Sequence, residues 1–405
     1  MPAPLNQPID RLPGSETARI MTGKIGGSMA WRQIAREKRR LAAAVAGIAF
    51  AVILMLVQLG FEQALFKSIG LLYGRFNADL ILISPKYQNA GNAAYFTGTR
   101  LAQALATGDV EWTCPIFFAD ANWKNPEDHI VRAIFIIAFE PRLGAIDLPE
   151  VNARMAELRL PKTVLFDALS RPEFGPIEQL LHKGAVKAEI SGMTALVGGV
   201  FHLGTSFAVD GNVIVSDANL ARIDPSRDMN LPSLGLIKVK AGHDPLVVQR
   251  RLQASLPNDV LVLTRGELME REKEYWASNT PIGFVFRLGL LMGLIVGSVV
   301  VYQILYNDVS EHLAEYATLK AMGYTDGFLF GVVIKESLIL SVLGFLPGVA
   351  LSQVVYWIAY QATLLPLRMD PARVTAVYVL TAGMCIFSGA LAMRRLRLAD
   401  PAEIF

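Results

Sequence analysis

The chain has 405 residues, of which 53% are hydrophobic and only 18% charged. Soluble domains carry about 25% charged residues, so the composition excludes an ordinary soluble protein. The net charge of +2 says little about nucleic acid, and its placement is the informative part.

Residues 1–27 are rich in proline and polar residues without an apolar period, which predicts a disordered tail. Residues 28–40 form a basic amphipathic segment with Arg32, Arg36, Lys38, Arg39 and Arg40 directly before an uncharged run at 41–60. About 20 residues at roughly 1.5 Å each span a hydrocarbon core of about 30 Å. The run is too long for a cleaved signal peptide and reads as an anchor. Further spans are predicted at 281–306, 328–360 and 374–393, with a short outer loop at 361–373. Lys and Arg next to a span favour the cytoplasmic side. Arg394, Arg395 and Arg397, in the tail at 394–405, mirror the basic start, so both termini are expected inside the cell, in an inner membrane. The inner segment at 307–327 has four acids, Asp308, Glu311, Glu315 and Asp326, against Lys320, so the orientation rests on the two ends.

Residues 61–280 read as an outer domain of alternating strands and helices. Short Val/Ile/Leu runs at 79–84, 131–139, 234–240 and 260–264 predict strands. Helical patterns lie at 99–106 and at 244–254, where Asp244 is an N-cap and Pro245 opens the first turn. Glycine-separated short strands between 164 and 216 suggest a β-rich insertion, giving two lobes. The helix at 61–73 (Phe61, Leu65, Ile69 and Leu72 on one face) and the charged helix at 266–278 predict a stalk ending at Pro281, or two plain juxtamembrane connectors. The fold class is therefore an α-helical membrane protein with four transmembrane helices and a large α/β extracytoplasmic domain on a helical stalk. Cys114 in that domain and Cys385 in the last span are not expected to pair.

Catalytic signatures are missing from the sequence. There is no phosphate-binding G-x-x-x-x-G-K-[ST], no H-E-x-x-H and no G-x-S-x-G, and the five histidines have no metal-ligand spacing. No catalytic, cofactor or metal residues are assigned, and the chain is expected not to be an enzyme. Attention falls on the membrane-facing segments. Residues 308–321 form an amphipathic helix with Val309, Leu313, Tyr316 and Leu319 on its apolar face. Gly323, after Met322 and before Tyr324, fits a left-handed helix-terminating position. Such a helix is either a docking surface for a cytoplasmic partner or a solvated connector. Arg287 near the outer surface reads as snorkelling or as an interhelical contact. Lys335 and Glu336, about 100° apart on their helix, read as interfacial anchors, or as residues of ATPase coupling or of a dimer contact. Gly289, Gly293 and Gly297 make a small-residue seam for a dimer or for the bundle, and Pro347 should kink the third span.

The segments 315–323 (EYATLKAMG), 332–345 (VVIKESLILSVLGF) and the ending 399–403 (ADPAE) resemble the MacB/FtsX-type ABC transporter permeases. Residues 30–40, with 46–51, 54–55 and 58–61, resemble the DevC branch, the permeases of glycolipid exporters. The resemblance covers about 28–80 and 280–405, and the outer domain by size and placement only. It implies a homodimer, each copy binding a separate cytoplasmic ATPase, since fused members carry their own and this chain shows none. ATP would bind to that partner. The coupling residues implied are Glu315, Leu319, Lys320, Met322, Gly323 and Tyr324. The outer domains would engage a periplasmic adaptor and an outer-membrane channel, and motion of the domains (mechanotransmission) would export an amphiphile such as a glycolipid. An FtsX-like relay that activates an outer enzyme without transport is the alternative. A membrane-anchored binding protein is disfavoured, because an anchor needs one span.

Overall fold

The computed structural model describes residues 38–141 and 144–398, the last four of them by backbone alone. The expected tail at 1–27, most of the basic segment at 28–40, the side chains of Arg395 and Arg397, and the 399–403 ending lie outside the described residues. In chain order, α1 (Lys38–Tyr73) leads into β1 (Leu80–Ile83), α2 (Thr99–Leu105), β2 (Val110–Lys124), β3 (Val131–Phe139), α3 (Pro149–Ala153) and α4 (Met155–Leu158). Next come β4 (Thr163–Asp167), α5 (Ile177–Lys183), β5 (Val186–Ile190), β6 (Met193–Phe201), β7 (Asn212–Ser216) and α6 (Asp217–Ile223). The domain closes with β8 (Leu234–Val239), α7 (Pro245–Ser255), β9 (Leu261–Thr264) and α8 (Arg265–Ser278). Four further helices follow: α9 (Pro281–Glu311), α10 (Leu313–Ala321), α11 (Asp326–Thr363) and α12 (Pro371–Leu398). Helices α1, α9, α11 and α12 are long and apolar enough to cross a membrane, and the chain is a multi-pass membrane protein.

The described residues form two compact units: a helical one (residues up to 60, 286–356 and from 369) and a domain of 61–285 with 357–368. In the domain, β2 is shared between two sub-assemblies. Its first half joins an open antiparallel sheet in the order β2-β8-β1-β9. Its second half enters a ring of pairings, β2–β3–β7–β4–β6–β5 and back to β2 through Trp123↔Ile190. The stretch expected to form a β-rich lobe between 164 and 216 supplies β4 to β7 of this ring, which β2 and β3, from before that stretch, complete. Its core is built around Trp123, Phe166, Val186 and Val215, and the Trp123 indole donates to the Phe174 carbonyl at 3.0 Å. The open sheet is covered on both faces. Leu80 and Leu82 point toward α2 and α7, whereas Ile81 and Ile83 point into a core shared with α1 and α8. This is why β1 reads as an unbroken apolar run instead of an alternation.

Local signals specify the helix starts. Asp244 accepts from the Leu246 N–H at 2.9 Å with Pro245 behind it, as its sequence predicts. Helix α8 begins with a capping box: Thr264 Oγ1 accepts from the Glu267 N–H, and the Glu267 carboxylate accepts from the Thr264 N–H at 2.7 Å. That hydrogen bonding holds the Glu267 carboxyl below its usual range. The two helices assigned to a stalk are built into the domain core: Ile69 and Tyr73 of α1 lie in one apolar cluster with Leu268 of α8. The loop from Leu203 to Asn212 is organised by the fully buried Asp167 carboxylate. It accepts from the Leu203, Gly204 and Leu169 N–H groups and from the Asn212 amide, at 2.8–3.1 Å. Cys114 and Cys385 are free and buried, and burial pushes the Cys114 thiol up to about 12.

One acid in this domain is out of keeping with its surroundings. Glu272 of α8 is 5% exposed and accepts a hydrogen bond from the Tyr73 hydroxyl. Burial pushes its carboxyl up from 4.5 to about 7, and hydrogen bonds from Tyr73, the Ala90 backbone and Trp276 only partly oppose this. The folded state therefore binds more protons than the unfolded state between about pH 4.5 and 7, so stability falls as pH rises through that window. Glu272→Gln should flatten this slope, leaving the variant more stable than the parent at pH 8 by on the order of 3 kcal/mol. Thermal unfolding of the two proteins across pH 5–8 checks it.

The helical unit is knitted by close approaches. Gly289, Gly293 and Gly297 of α9 face α1: a Cβ at Gly289 would meet the Gln58 side chain, one at Gly293 would meet Met55, and one at Gly297 would meet Ala51 and Met384. The seam is thus used within the chain. Gly344 and Gly348 of α11 abut Ile48 and Val52 in the same manner. Helix α11 runs through Pro347 without interruption.

Candidate functional site

The segment between the second and third spans forms a short helix and a turn. The single helix expected over 308–321 is not what forms: residues 308–311 belong to α9, and the chain breaks at His312 (φ −90°, ψ 14°) before α10. The His312 ring nitrogen lies 2.9 Å from the Asp308 carbonyl and 3.7 Å from its carboxylate, and the same carbonyl accepts the His312 N–H at 3.1 Å, so the last turn of α9 stays closed up to the break. Helix α10 ends in a Schellman turn, in which the Gly323 N–H donates to the Lys320 carbonyl at 3.0 Å and the Tyr324 N–H to the Leu319 carbonyl at 3.1 Å. Gly323 adopts φ +94°, which a residue with a Cβ takes up only under strain.

The two faces of α10 differ. Tyr316 is buried among Val309, Leu329, Val333 and Met393, and Leu319 packs beside it. Glu315, Lys320, Met322, Gly323 and Tyr324 are exposed, Met322 by 64%. Lys320 is tied to Asp326 across the turn at 3.0 Å, and the Tyr324 ring lies 4.8 Å from that of Phe328. A helix pinned to the bundle on one side thereby presents a turn of fixed shape with Met322 and Tyr324 at its tip. Of the expected coupling residues, Leu319 belongs to the pinned side.

A charge cluster adjoins the point where α10 departs. Arg40 of α1 contacts Glu311 at 2.7 Å, Asp308 at 3.9 Å and the Ile304 carbonyl at 3.4 Å. Asp308 is 7% exposed and Glu336 of α11 only 3%, and the two carboxyls lie within hydrogen-bonding reach of each other. One guanidinium thus faces two buried acids at the meeting point of α1, α9 and α11. Glu336 points inward among Val332, Val333 and Leu340, and the adjacent Lys335 points elsewhere. Arg287 is exposed near the start of α9.

Sequence reasoning missed a second polar contact, which joins α12 and α11 to α1. Arg373 of α12, 8% exposed, donates to the Tyr356 hydroxyl at 2.8 Å, and that hydroxyl donates to the Leu56 carbonyl of α1. An arginine two residues after Pro371 reads as an interfacial residue, and nothing local reveals a partner 17 positions away.

Residues 287–401 match the model of the FtsX-like permease C-terminal region. No curated protein matches the chain. The periplasmic region of MacB from Actinobacillus actinomycetemcomitans is similar at 8% identity with a TM-score of 0.35, covering 49% of this chain and 93% of that one. The extracellular domain of the noncanonic ABC-type transporter YknZ from Gram-positive bacteria is similar at 12% identity with a TM-score of 0.31, covering 46% and 99%. Likenesses this distant carry no functional information. The part of the chain that matches this family model, residues 287–401, comprises the last three spans with the helix and turn that join the first two of them.

Proposed function

We propose that the chain is the membrane subunit of an ABC-type exporter, worked by a separate ATPase that seats on α10 and the Met322–Tyr324 turn. The observation that carries this is the turn itself: a rigid, exposed, partly apolar tip between two spans, on a helix anchored by Tyr316 and by the charge cluster. The family match over 287–401 supports the permease role. The basic residues flanking the first and last spans support cytoplasmic termini in an inner membrane, which puts the turn on the ATPase side. In this reading two copies act together, with a periplasmic adaptor and an outer-membrane channel, in the manner of the DevC-like glycolipid permeases. The ATPase stroke reaches α9 through α10 and moves the outer domain, which drives an amphiphile outward. ATP is bound by the partner, and this chain supplies no reaction chemistry.

Co-purification of the tagged chain from solubilised membranes, with mass spectrometry of what accompanies it, tests the reading. An ATPase with a periplasmic adaptor supports export. An ATPase with a cell-wall hydrolase moves the assignment to a transmembrane relay, and no ATPase at all overturns it. Met322→Ala combined with Tyr324→Ala should lower ATPase recovery by roughly tenfold or more, as loss of central interface residues does. Exposed side chains contribute little to folding, so the variant's thermal stability should stay within about 0.5 kcal/mol of the parent.

A further inference from the structure

The extramembrane domain carries a polar cleft of about 370 Å³, within the roughly 300–1,000 Å³ of small-molecule sites. One wall is α8, where Arg271 and Tyr275 lie four residues apart on one face with Glu274 beside them. Asn279, the C-cap of α8, continues that row. The other wall is the turn after β1, which contributes Lys86 and Gln88. We propose that this cleft binds a phosphodiester bearing a primary amine, either the head group of an aminophospholipid or the same group free in solution. The phosphate lies between Lys86 and Arg271, and the ammonium lies on Glu274.

The charges come first. Lys86, Arg271 and Glu274 line one cleft, yet none of them has an ion-pair partner among the described residues. On the same helix Lys273 does pair, with Glu270 at 3.3 Å. Two cations and one acid that face a common space unpaired suit a ligand with both signs of charge. Their hydrogen-bonding capacity is open as well. Arg271 uses one of its five N–H groups, on the Pro85 carbonyl at 2.9 Å, and the Lys86 ammonium donates to no described residue. The walls, finally, are set in advance. Tyr87, between Lys86 and Gln88 in the chain, is 2% exposed, with its hydroxyl 2.7 Å from that of Tyr73. The Tyr87 N–H donates to the Ser84 carbonyl at 3.0 Å and the Lys86 N–H to Ser84 Oγ at 3.3 Å, which closes the turn. The Tyr275 hydroxyl joins the two walls by donating to Gln88 Oε1 at 3.2 Å, and the Asn92 amide donates to the same oxygen at 2.7 Å. A site whose walls are already joined loses little freedom when a ligand enters. The ligand class follows from the lining alone, so the inference goes beyond the export reading and does not depend on it.

The test uses the full chain in dodecyl maltoside, without ATPase, titrated with glycerophosphoethanolamine and followed by saturation-transfer NMR. Binding should saturate. Glycerophosphoglycerol, the same phosphodiester without the amine, and ethanolamine alone should bind roughly tenfold or more weakly, since each loses a charge-assisted hydrogen bond. Lys86→Gln combined with Arg271→Gln should abolish saturation while keeping the parent's unfolding temperature, because both side chains are exposed. Glu274→Gln should bind the two phosphodiesters equally, a change of preference that a folding defect does not produce. A second arm offers equal amounts of phosphatidylethanolamine and phosphatidylglycerol in the micelles and counts retained lipid by native mass spectrometry. The parent should prefer the former, and the double variant should show no preference. Saturation by the soluble compound without a lipid preference identifies a free ligand, and a lipid preference identifies a membrane source. No specific binding in either arm, a preference that survives the double variant, or equal binding of the two phosphodiesters by the parent overturns the proposal.

Discussion

Arg40→Ala should destabilise the helical unit by about 3–5 kcal/mol, because it strips the positive charge from Asp308, an acid that remains buried with the Glu336 carboxyl against it. The cost is that of uncompensated burial and not that of the visible ion pair. Glu311 makes the shorter contact, at 2.7 Å, but its side chain is 58% exposed. Glu311→Ala should therefore change stability by less than about 1 kcal/mol. Arg40→Lys should recover part of the loss, since an ammonium supplies charge without the fork that reaches Glu311 and the Ile304 carbonyl together. The decisive variant replaces the whole set with neutral groups of similar shape, Arg40→Met with Asp308→Asn and Glu336→Gln. It should be markedly more stable than Arg40→Ala alone, as removing a complete buried charge set commonly is. Thermal unfolding of the four variants and the parent in one detergent checks these orders, and a triple variant no better than the single one would contradict the burial argument. Helix α10 departs at His312, four residues after Asp308, so Arg40→Ala should also weaken any response of a bound ATPase.

The spans were legible because each is a long uncharged run, and lipid admits few other readings of such a run. Strand β1, the Asp244–Pro245 start of α7 and the Gly323 turn were legible for a related reason, since each signal is contained within a few residues. The closing of the β ring was not. It depends on pairings such as Trp123↔Ile190 and on the parallel contact of β3 with β7, and an alternating or apolar run does not name its neighbour in a sheet. The charge cluster failed on the same ground: Arg40 reads as one more basic residue before a span, and its partner Asp308 lies in a distant segment. Glu336 stands out in the sequence as a charge within a span, and its apolar neighbours at 332, 333 and 340 put it on the inward row. The break at His312 is a local change of backbone angles inside an otherwise regular amphipathic pattern, which helical periodicity does not encode.

Gly344→Leu should strongly destabilise the helical unit. A Cβ there would sit 2.5 Å from Ile48 Cβ and Cγ2, closer than carbon atoms approach, and Ile48 is fully buried on α1. The side chain of Ile48 cannot move aside, because its neighbours fill the space, so α1 and α11 must separate over several turns. Overpacking of this kind costs about 3 kcal/mol or more. Gly383 provides the control, since a Cβ there would meet nothing within 4 Å. Gly383→Ala should be neutral or slightly stabilising, as alanine is the better helix former by about 1 kcal/mol. A cycle of Gly344→Ala with Ile48→Gly separates contact from propensity, because Ile48→Ala would keep the Cβ that a methyl at 344 meets. Ile48→Gly alone leaves a cavity costing about 2–5 kcal/mol or more, and the added methyl at 344 should refill part of it. The double variant should then be more stable than the sum of the singles predicts by about 1–3 kcal/mol. Strict additivity would mean that the two helices do not meet at this seam in the folded protein.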